Sequence, residues 1–222
     1  IGKFGMRVGP SMASADMFEI TVKGKGSHAA HPHQGADPIV TGAEIVTALQ
    51  RIVSRTTNPI EAAVISVTQF HAGTNMNVIP ETVSIKGTCR ALGRAVQDTV
   101  EARMRQVIEG IASAHGMTAE IIYDRRYPVL VNTPEETVKA AAAAAIVVGA
   151  ENVNTDHPPT MGSEDFAWML QERPGCYIRV GNGEGEDGGC VVHNPNYDFN
   201  DEAALYGASY WAALVEQELS PV

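Results

Sequence analysis

Basic residues are scarce in this sequence. It has 16 Lys and Arg against 26 Asp and Glu, which gives a formal net charge of −10 over 222 residues. Nucleic acids and anionic membrane surfaces attract clustered positive charge, so this balance argues against both as partners. Long apolar runs are also missing, since no stretch approaches the roughly 18 to 20 apolar residues that a membrane helix needs. The composition therefore predicts a globular protein without a membrane span.

Cysteines and several common site motifs are equally sparse. The only cysteines are Cys89, Cys176 and Cys190, and none forms a CxxC pair. An odd number of cysteines without CxxC spacing argues against a disulfide framework and predicts reduced thiols in a cytoplasmic protein. The chain has no HExxH motif, and the glycine loop after Val180 lacks GxGxxG spacing. The sequence therefore offers no zinc-binding helix of the HExxH type, and a dinucleotide or phosphate site is not expected.

The hydrophobic pattern that is present divides the chain into two blocks. In Met17–Pro128, alternating residues such as Phe18, Ile20 and Val22 predict strands, and apolar residues spaced three or four apart predict helices. The predicted order is strand, helix, strand, strand, helix, strand. This order predicts an α+β ferredoxin-like domain (βαββαβ), an antiparallel sheet with two helices on one face.

The second block, residues 129–222, alternates predicted helices and strands. We expect a helix that begins after Thr133, a short helix capped by Ser163, a buried strand over Cys176–Val180 and a last helix that begins at Asn200 or Asp201. One or two strands cannot complete a sheet, so we expect this block to be part of a larger α/β domain. Residues 1–16 would lead out of the same domain, and further residues are expected upstream.

Histidines provide the first candidates for chemistry. The turn GKGSHAAHPH at residues 24–33 contains His28, His31 and His33, and such a turn can present an imidazole to another domain. A histidine-rich turn is more often simply solvated. A hydrolytic metal site needs three or more converging ligands with one position open to water. His193 is the best single ligand candidate, because it follows a Cys190–Val192 segment that looks buried.

Four ordered motifs carry a family resemblance that extends over essentially the whole chain. They are GKGSHAAHPHQGADPI, NVIPETVSIKGTCR, GSEDF and HNPNYDFNDEA. In this order they resemble the hippurate hydrolase and N-acyl-amino-acid amidohydrolase family of zinc-dependent metallopeptidases, which is related to carboxypeptidase G and succinyl-diaminopimelate desuccinylase. The resemblance implies a zinc-peptidase-like α/β catalytic domain interrupted by a lid. Residues 17–128 would be the lid and dimerisation domain, and residues 129–222 the C-terminal part of the catalytic domain.

The resemblance also implies roles for particular residues. His193 matches a metal ligand, and His28 matches a lid histidine that polarises the scissile carbonyl, often in the partner subunit. Asn77 and Arg90 match substrate-facing positions, with Arg90 a natural clamp for a carboxylate. Glu164 lies in a motif near the metals, where it would support the site indirectly. The remaining ligands and the glutamate that acts as general base match no residue of this chain and would lie upstream.

These matches predict a metal-dependent amidohydrolase that cleaves N-acyl amino acids and is a homodimer through its lid. Its cofactors would be two divalent ions, zinc or manganese, with nickel and cobalt as alternatives; this chain alone would ligate them incompletely. Two alternatives remain open: a non-catalytic dimerisation module, and a regulatory ligand-binding domain of ferredoxin-like fold. The upstream residues would separate the first alternative from the enzyme.

Overall fold

The computed structural model describes residues 1–184 and 189–219. The chain divides into two compact units. One, called the four-stranded unit here, consists of Met12–Val129 and Met161–Glu164. The other, called the terminal unit, consists of Ile1–Ser11, Leu130–Thr160 and Asp165–Val222. The chain therefore crosses from one unit to the other near Ser11 and Leu130, and returns to the four-stranded unit for the short 161–164 segment.

Strands and helices are both present along the chain, as expected for a mixed α/β protein. The strands are β1 (Phe4–Gly5), β2 (Gly9–Met12), β3 (Ala15–Lys23), β4 (Ser27–His28), β5 (Ala63–Ala72), β6 (Val78–Ile79), β7 (Thr82–Ala91), β8 (Thr118–Tyr127), β9 (Leu130–Asn132), β10 (Val153–Asn154) and β11 (Arg179–Val180). The α-helices are α1 (Pro38–Arg51), α2 (Arg94–Ala114), α3 (Pro134–Val148), α4 (Phe166–Glu172) and α5 (Glu202–Glu218).

An antiparallel sheet with the strand order β5-β7-β3-β8 forms the centre of the four-stranded unit. Ile20 of β3 lies opposite Ile85 of β7 on one side and Ile121 of β8 on the other. Successive side chains of a strand face opposite sides of a sheet, so the predicted period of two places Phe18, Ile20 and Val22 on one buried face. The alternation in the sequence thus translates directly into a sheet with one apolar side.

Helices α1 and α2 cover this apolar side. Asp37 caps α1 as predicted, with its carboxylate accepting a hydrogen bond from the Ile39 N–H at 2.8 Å, and Pro38 occupies the first helical position. The helices and the sheet share a single core, and each fully buried Leu or Ile contributes about 1.5–3 kcal/mol of transfer free energy. The largest buried side chains of this core include Ile20, Ile45, Leu49, Ile52, Ile85, Met104 and Ile108.

The core of the four-stranded unit also contains a buried carboxylate. Asp16 is 1% exposed and accepts hydrogen bonds from the Gln97 amide of α2 at 2.7 Å and from the Tyr123 hydroxyl of β8 at 2.9 Å. Burial raises the pKa of Asp16 above the usual 3.8, although these two hydrogen bonds and nearby Arg125 favour the ionised form. Burial also raises the pKa of the neighbouring Cys89 thiol to about 12, so this thiol is unreactive.

The raised pKa of Asp16 predicts a pH-dependent stability. Because ionised Asp16 is disfavoured in the folded state, the free energy of unfolding should fall as the pH rises from about 3.8 through the folded-state pKa. Asp16→Asn removes this titration. Chemical denaturation at a series of pH values should therefore show wild-type stability decreasing relative to Asp16→Asn as the pH rises. An exposed-carboxylate control, Asp124→Asn, should change stability by less than ~1 kcal/mol. Parallel curves for wild type and Asp16→Asn would contradict the prediction.

The terminal unit contains a three-stranded sheet with the order β10-β1-β11 and a separate β2-β9 pair. Strand β1 pairs in parallel with β10 and antiparallel with β11. The alanine-rich α3 buries Ala140, Ala143 and Ala144 in a core that also contains Phe4 and Tyr210. The rings of Phe4 and Tyr210 lie 5.4 Å apart. The small alanine side chains let α3 pack closely in this core.

Three local predictions for residues 129–222 are wrong. Helix α4 begins at Phe166 and is not capped by Ser163. The strand predicted over Cys176–Val180 is reduced to Arg179–Val180. The segment before His193 is not buried, because Val191 and Val192 are 73% and 62% exposed. The exposed Val191 and Val192 show that a short apolar run does not by itself establish burial. The predicted last helix is confirmed as α5, and all three cysteines are free thiols as expected.

Candidate functional site

The predicted histidine turn is anchored by two short backbone ladders. Lys25 and Ala36 exchange two backbone hydrogen bonds of 2.9 Å and close the loop, and Ser27 and His28 pair with Ile79 and Val78 as strands β4 and β6. At Gly35 an added Cβ would lie 2.6 Å from the Lys25 carbonyl oxygen. Only glycine allows this close approach. The turn sequence therefore holds His28 in a defined position although its side chain is exposed.

A backbone hydrogen bond selects the tautomer of His28. The Ala30 N–H donates to Nδ1 of His28 at 3.1 Å. Because Nδ1 accepts this bond, the proton of the neutral ring resides on Nε2, which is left as a hydrogen-bond donor. The ring of His31 lies next to that of His28, with 5.6 Å between ring centroids. His28 is thus an exposed imidazole whose outer nitrogen can donate to an oxygen atom.

Asn77 lies in the same small ladder as His28. Its carbonyl oxygen accepts a hydrogen bond from the Ala29 N–H at 3.0 Å, and its side chain is exposed. Two motifs that are far apart in the sequence, the histidine turn and NVIP, therefore meet in the fold. An imidazole donor and a side-chain amide at one exposed edge can together bind a polar ligand.

Arg90 lies at the other end of β7 and meets the GSEDF motif. Its Nη1 donates a hydrogen bond to Oγ of Ser163 at 2.9 Å, and the side chain is half-buried. The backbone N–H of Ala13 also donates to the carbonyl oxygen of Gly162 at 2.9 Å. Half-buried Glu164 follows directly. Sequence reasoning selected Glu164 in this motif and assigned Ser163 only to a helix cap, so it missed the contact between Ser163 and Arg90.

The two pairs are well separated within the four-stranded unit. The His28 ladder adjoins the first residues of β7, where the Gly24 N–H donates to the Glu81 carbonyl oxygen at 2.9 Å. Arg90 is near the last residue of the same strand. Eight residues of extended chain separate Thr82 from Arg90, which corresponds to about 26 Å at ~3.3 Å per residue. The structure therefore brings His28 together with Asn77, and Arg90 together with Ser163, but it does not unite the two pairs.

His193 belongs to the terminal unit and lies in an exposed turn. The Asn194 N–H donates to the Val191 carbonyl oxygen at 3.3 Å, and the Tyr197 N–H donates to that of Asn194 at 2.9 Å. His193 has a φ of 68°, in the left-handed region that non-glycine residues seldom adopt. Such a conformation costs about 1–3 kcal/mol, and residues that adopt it cluster at active sites, ligand clamps and switch regions. The backbone conformation of this turn thus supports His193 as a candidate ligand-binding residue.

Comparison with known proteins identifies the four-stranded unit. Residues 13–115 match the M20 peptidase dimerisation domain. The chain thus contains an M20 peptidase dimerisation domain. This confirms the resemblance to hippurate hydrolases and N-acyl-amino-acid amidohydrolases.

The relatives that the chain resembles are named as hydrolases. The chain is 36% identical over 216 residues to N-acetylcysteine deacetylase of Bacillus subtilis and 34% identical over 212 residues to hippurate hydrolase of Campylobacter jejuni. Each alignment covers 96% of this chain and 54% of the relative. The structure of YXEP from Bacillus subtilis, a dinuclear metal-binding M20 peptidase, aligns with a TM-score of 0.77 and 31% identity, over 100% of this chain and 55% of that one. The chain thus spans about half the length of the relatives it matches.

The potential metal-ligating side chains of the described residues do not by themselves form a metal centre. Within residues 1–184 and 189–219, no group of three or more His, Cys, Asp or Glu side chains could hold a metal ion. His193 can supply one nitrogen, but the described residues do not bring further ligands to it. The same part of the chain has no helix with the length and apolar character needed to cross a membrane.

Proposed function

We propose that the full-length protein hydrolyses the amide bond of N-acyl amino acids, hippurate-like substrates, to a carboxylic acid and an amino acid. The observation that carries this proposal is the Nε2–H of His28, which the Ala30 N–H leaves as the donor nitrogen. Amide hydrolysis places negative charge on the carbonyl oxygen in the transition state. A prepositioned donor at that oxygen typically contributes about 10²- to 10³-fold in rate.

The other candidate residues complete a substrate site in this proposal. Arg90 binds the carboxylate of the amino acid, and Asn77 contacts the substrate beside His28. Arg90 suits this role because it is half-buried and hydrogen-bonded to a neutral hydroxyl, so its positive charge remains available for a ligand. Glu164, next to Ser163, supports the site without contacting the reacting atoms.

We further propose that two divalent ions, zinc or manganese, are held mainly by residues outside this chain, with His193 as this chain's ligand. Such ions lower the pKa of a bound water towards neutrality and so supply the nucleophile. The dinuclear metal site of the YXEP peptidase, a structural relative at 31% identity, supports this assignment. The role of this chain's own residues is to hold the substrate and to donate to its carbonyl oxygen. The general base is expected outside this chain.

In this proposal residues 17–128 are a ferredoxin-like lid, and residues 129–222, together with 1–16, are part of the α/β catalytic domain. Helices α3 and α5 support the second assignment because they expose apolar side chains that a larger domain would cover. These side chains are Val138, Ile146, Leu205, Trp211 and Val215. Exposed apolar surface of this kind is typical of a contact face.

His28 and Arg90 lie too far apart in one chain to act on the same small substrate. We therefore propose that His28 acts on a substrate bound by Arg90 of a partner subunit. The free edge strand β5 offers the contact. It pairs with β7 so that Ala63 lies opposite Ala91 and Ala72 lies opposite Val83. Its Ala63 end is thus near Arg90, and its Ala72 end is on the His28 side of the sheet.

A two-fold axis through β5 would bring the two halves of the site together. In an antiparallel pairing of two β5 strands, the Ala63 end of one strand lies beside the Ala72 end of the other. The end of one sheet that carries Arg90 then lies on the same side of the dimer as the end of the partner sheet that adjoins His28. Strand β5 has no Asp, Glu, Lys or Arg, whereas the opposite edge strand β8 has Glu120, Asp124, Arg125 and Arg126. Charged edges resist pairing, so β5 is the favoured interface.

Charges placed on β5 should separate the subunits. Val64 and Thr68 are exposed on this strand, and like charges that face each other across a two-fold axis repel. The full-length wild type should therefore have the mass of two chains in size-exclusion chromatography with light scattering. Val64→Lys/Thr68→Lys should have the mass of one chain at micromolar concentration. The control Ile122→Lys, on β8 and 68% exposed in the wild type, should remain a dimer. A monomeric Ile122→Lys with a dimeric β5 variant would contradict the interface.

The activity itself is tested with the full-length protein loaded with zinc or manganese. Hippurate and hippuramide differ only in the terminal carboxylate, so release of benzoate from both measures hydrolysis and carboxylate recognition together. The proposal expects hydrolysis of hippurate in preference to hippuramide. A dimeric, metal-loaded protein that cleaves neither these nor other N-acyl amino acids would favour the non-catalytic dimerisation module.

A further inference from the structure

The charge of Arg90, a half-buried arginine of the four-stranded unit, has no acidic partner among the described residues. Within residues 1–184 and 189–219 it forms no ion pair, and its Nη1 donates to the neutral hydroxyl of Ser163 at 2.9 Å. Arg125, on the other edge of the sheet, instead contacts both Asp98 and Glu101. The Ser163 contact therefore orients the Arg90 guanidinium without neutralising it.

Ser163 is itself held in place by contacts that do not involve Arg90. The N–H of Ala13 donates to the carbonyl oxygen of Gly162 at 2.9 Å, which ties the 161–164 segment to the start of the sheet. Next to it, Ser14 and Ala91 exchange two hydrogen bonds: the Ser14 N–H donates to the Ala91 carbonyl at 2.8 Å, and the Ala91 N–H donates to Ser14 Oγ at 3.1 Å. Ala13 and Ser14 are fully buried. Three separate chain segments thus meet beside Ser163, and two of them contribute the buried residues Ala13, Ser14 and Ala91.

We propose that Ser163 is a positioning residue for Arg90, which it orients before substrate binds. The inference rests on the proposed role of Arg90 as the carboxylate clamp. A guanidinium presents five N–H donors in a plane, and Ser163 occupies one of them. The donors left over can bind a carboxylate in the bidentate geometry. Gly162, Ser163 and Arg90 all belong to the four-stranded unit, so the clamp and its support lie in one compact part of the fold.

The experiment uses the full-length, metal-loaded protein and compares hippurate with hippuramide. Ser163→Ala should raise KM for hippurate about tenfold, as expected for the loss of one orienting hydrogen bond, with kcat nearly unchanged. KM for hippuramide, which has no carboxylate, should not change. Ser163→Thr keeps the hydroxyl and should restore the wild-type KM. A purely structural defect would affect both substrates and the unfolding temperature, and it would overturn the inference.

A double-mutant cycle separates this inference from the proposed function. Arg90→Ala should remove the preference for hippurate over hippuramide, and Ser163→Ala should then have no further effect in the Arg90→Ala background. If Arg90→Ala leaves the preference intact, the assignment of the clamp fails and the proposed function must be revised. If Arg90→Ala removes the preference but Ser163→Ala alone has no effect, or if the two effects add, only the positioning role of Ser163 is overturned.

Discussion

Replacing His28 by alanine is expected to lower kcat for hippurate by about 10²- to 10³-fold in the full-length protein, because a prepositioned donor to the oxyanion is lost. The bound metal content should not change, since His28 lies in the four-stranded unit and is not assigned as a ligand. His31→Ala is the matched control: it removes a neighbouring exposed imidazole from the same turn and should have a small effect. Unchanged turnover in His28→Ala would show that its assigned role is wrong.

Mixing two inactive variants tests whether His28 acts across the interface. In a mixed dimer of His28→Ala and Arg90→Ala subunits, one site combines an intact Arg90 with an intact His28 of the partner. Activity should therefore return in the mixture although each homodimer is impaired. If both residues acted within one chain, every site would lack one of them and no activity would return. The roughly 26 Å along β7 between the two ends favours the first outcome.

The second large effect is expected for His193→Ala, which should lower both the bound metal and the turnover. Removing even a residue that only supports a metal ligand typically costs 10- to 100-fold in metal affinity, and a direct ligand should cost at least as much. Elemental analysis of the purified full-length protein measures the metal, and hippurate hydrolysis measures the activity. His115→Ala, a surface histidine beside Glu44, should change neither. Full metal retention in His193→Ala would show that it is not a ligand.

These two substitutions should give different signatures. His28→Ala is expected to lower kcat with the metals retained, whereas His193→Ala is expected to lower both together. Added zinc or manganese should partly restore His193→Ala by mass action and leave His28→Ala unchanged. The comparison therefore distinguishes a group that acts on the substrate from one that holds the metal.

Local sequence chemistry was sufficient for many features of the fold. The alternation of Phe18, Ile20 and Val22 predicted a strand, and Asp37 followed by Pro38 predicted the start of a helix; β3 and α1 confirm both. Strand periodicity and helix capping are set by neighbours a few residues away, so they can be read without the fold. The four ordered motifs also indicated the family, which the match to the M20 dimerisation domain confirms.

Local patterns failed where burial depended on distant chain. Val191 and Val192 are apolar but exposed, and most of the strand expected over Cys176–Val180 does not form. Ser163 has the composition of a helix cap, yet its hydroxyl accepts a hydrogen bond from Arg90 instead. A serine satisfies whichever donor the fold brings to it, and that choice is not visible in the adjacent residues.

The sequence by itself determined which residue types are available: an imidazole in a glycine-bounded turn, an arginine at the end of an alternating strand, and a histidine before NPNYDF. Only the tertiary structure decided how they are combined. Sheet register places His28 and Arg90 at opposite ends of β7, and the Ala30 N–H leaves the proton of His28 on Nε2. Strand register and hydrogen-bond partners depend on pairing between segments that are far apart in the chain. For this physical reason the motifs could identify the candidate residues but not their arrangement.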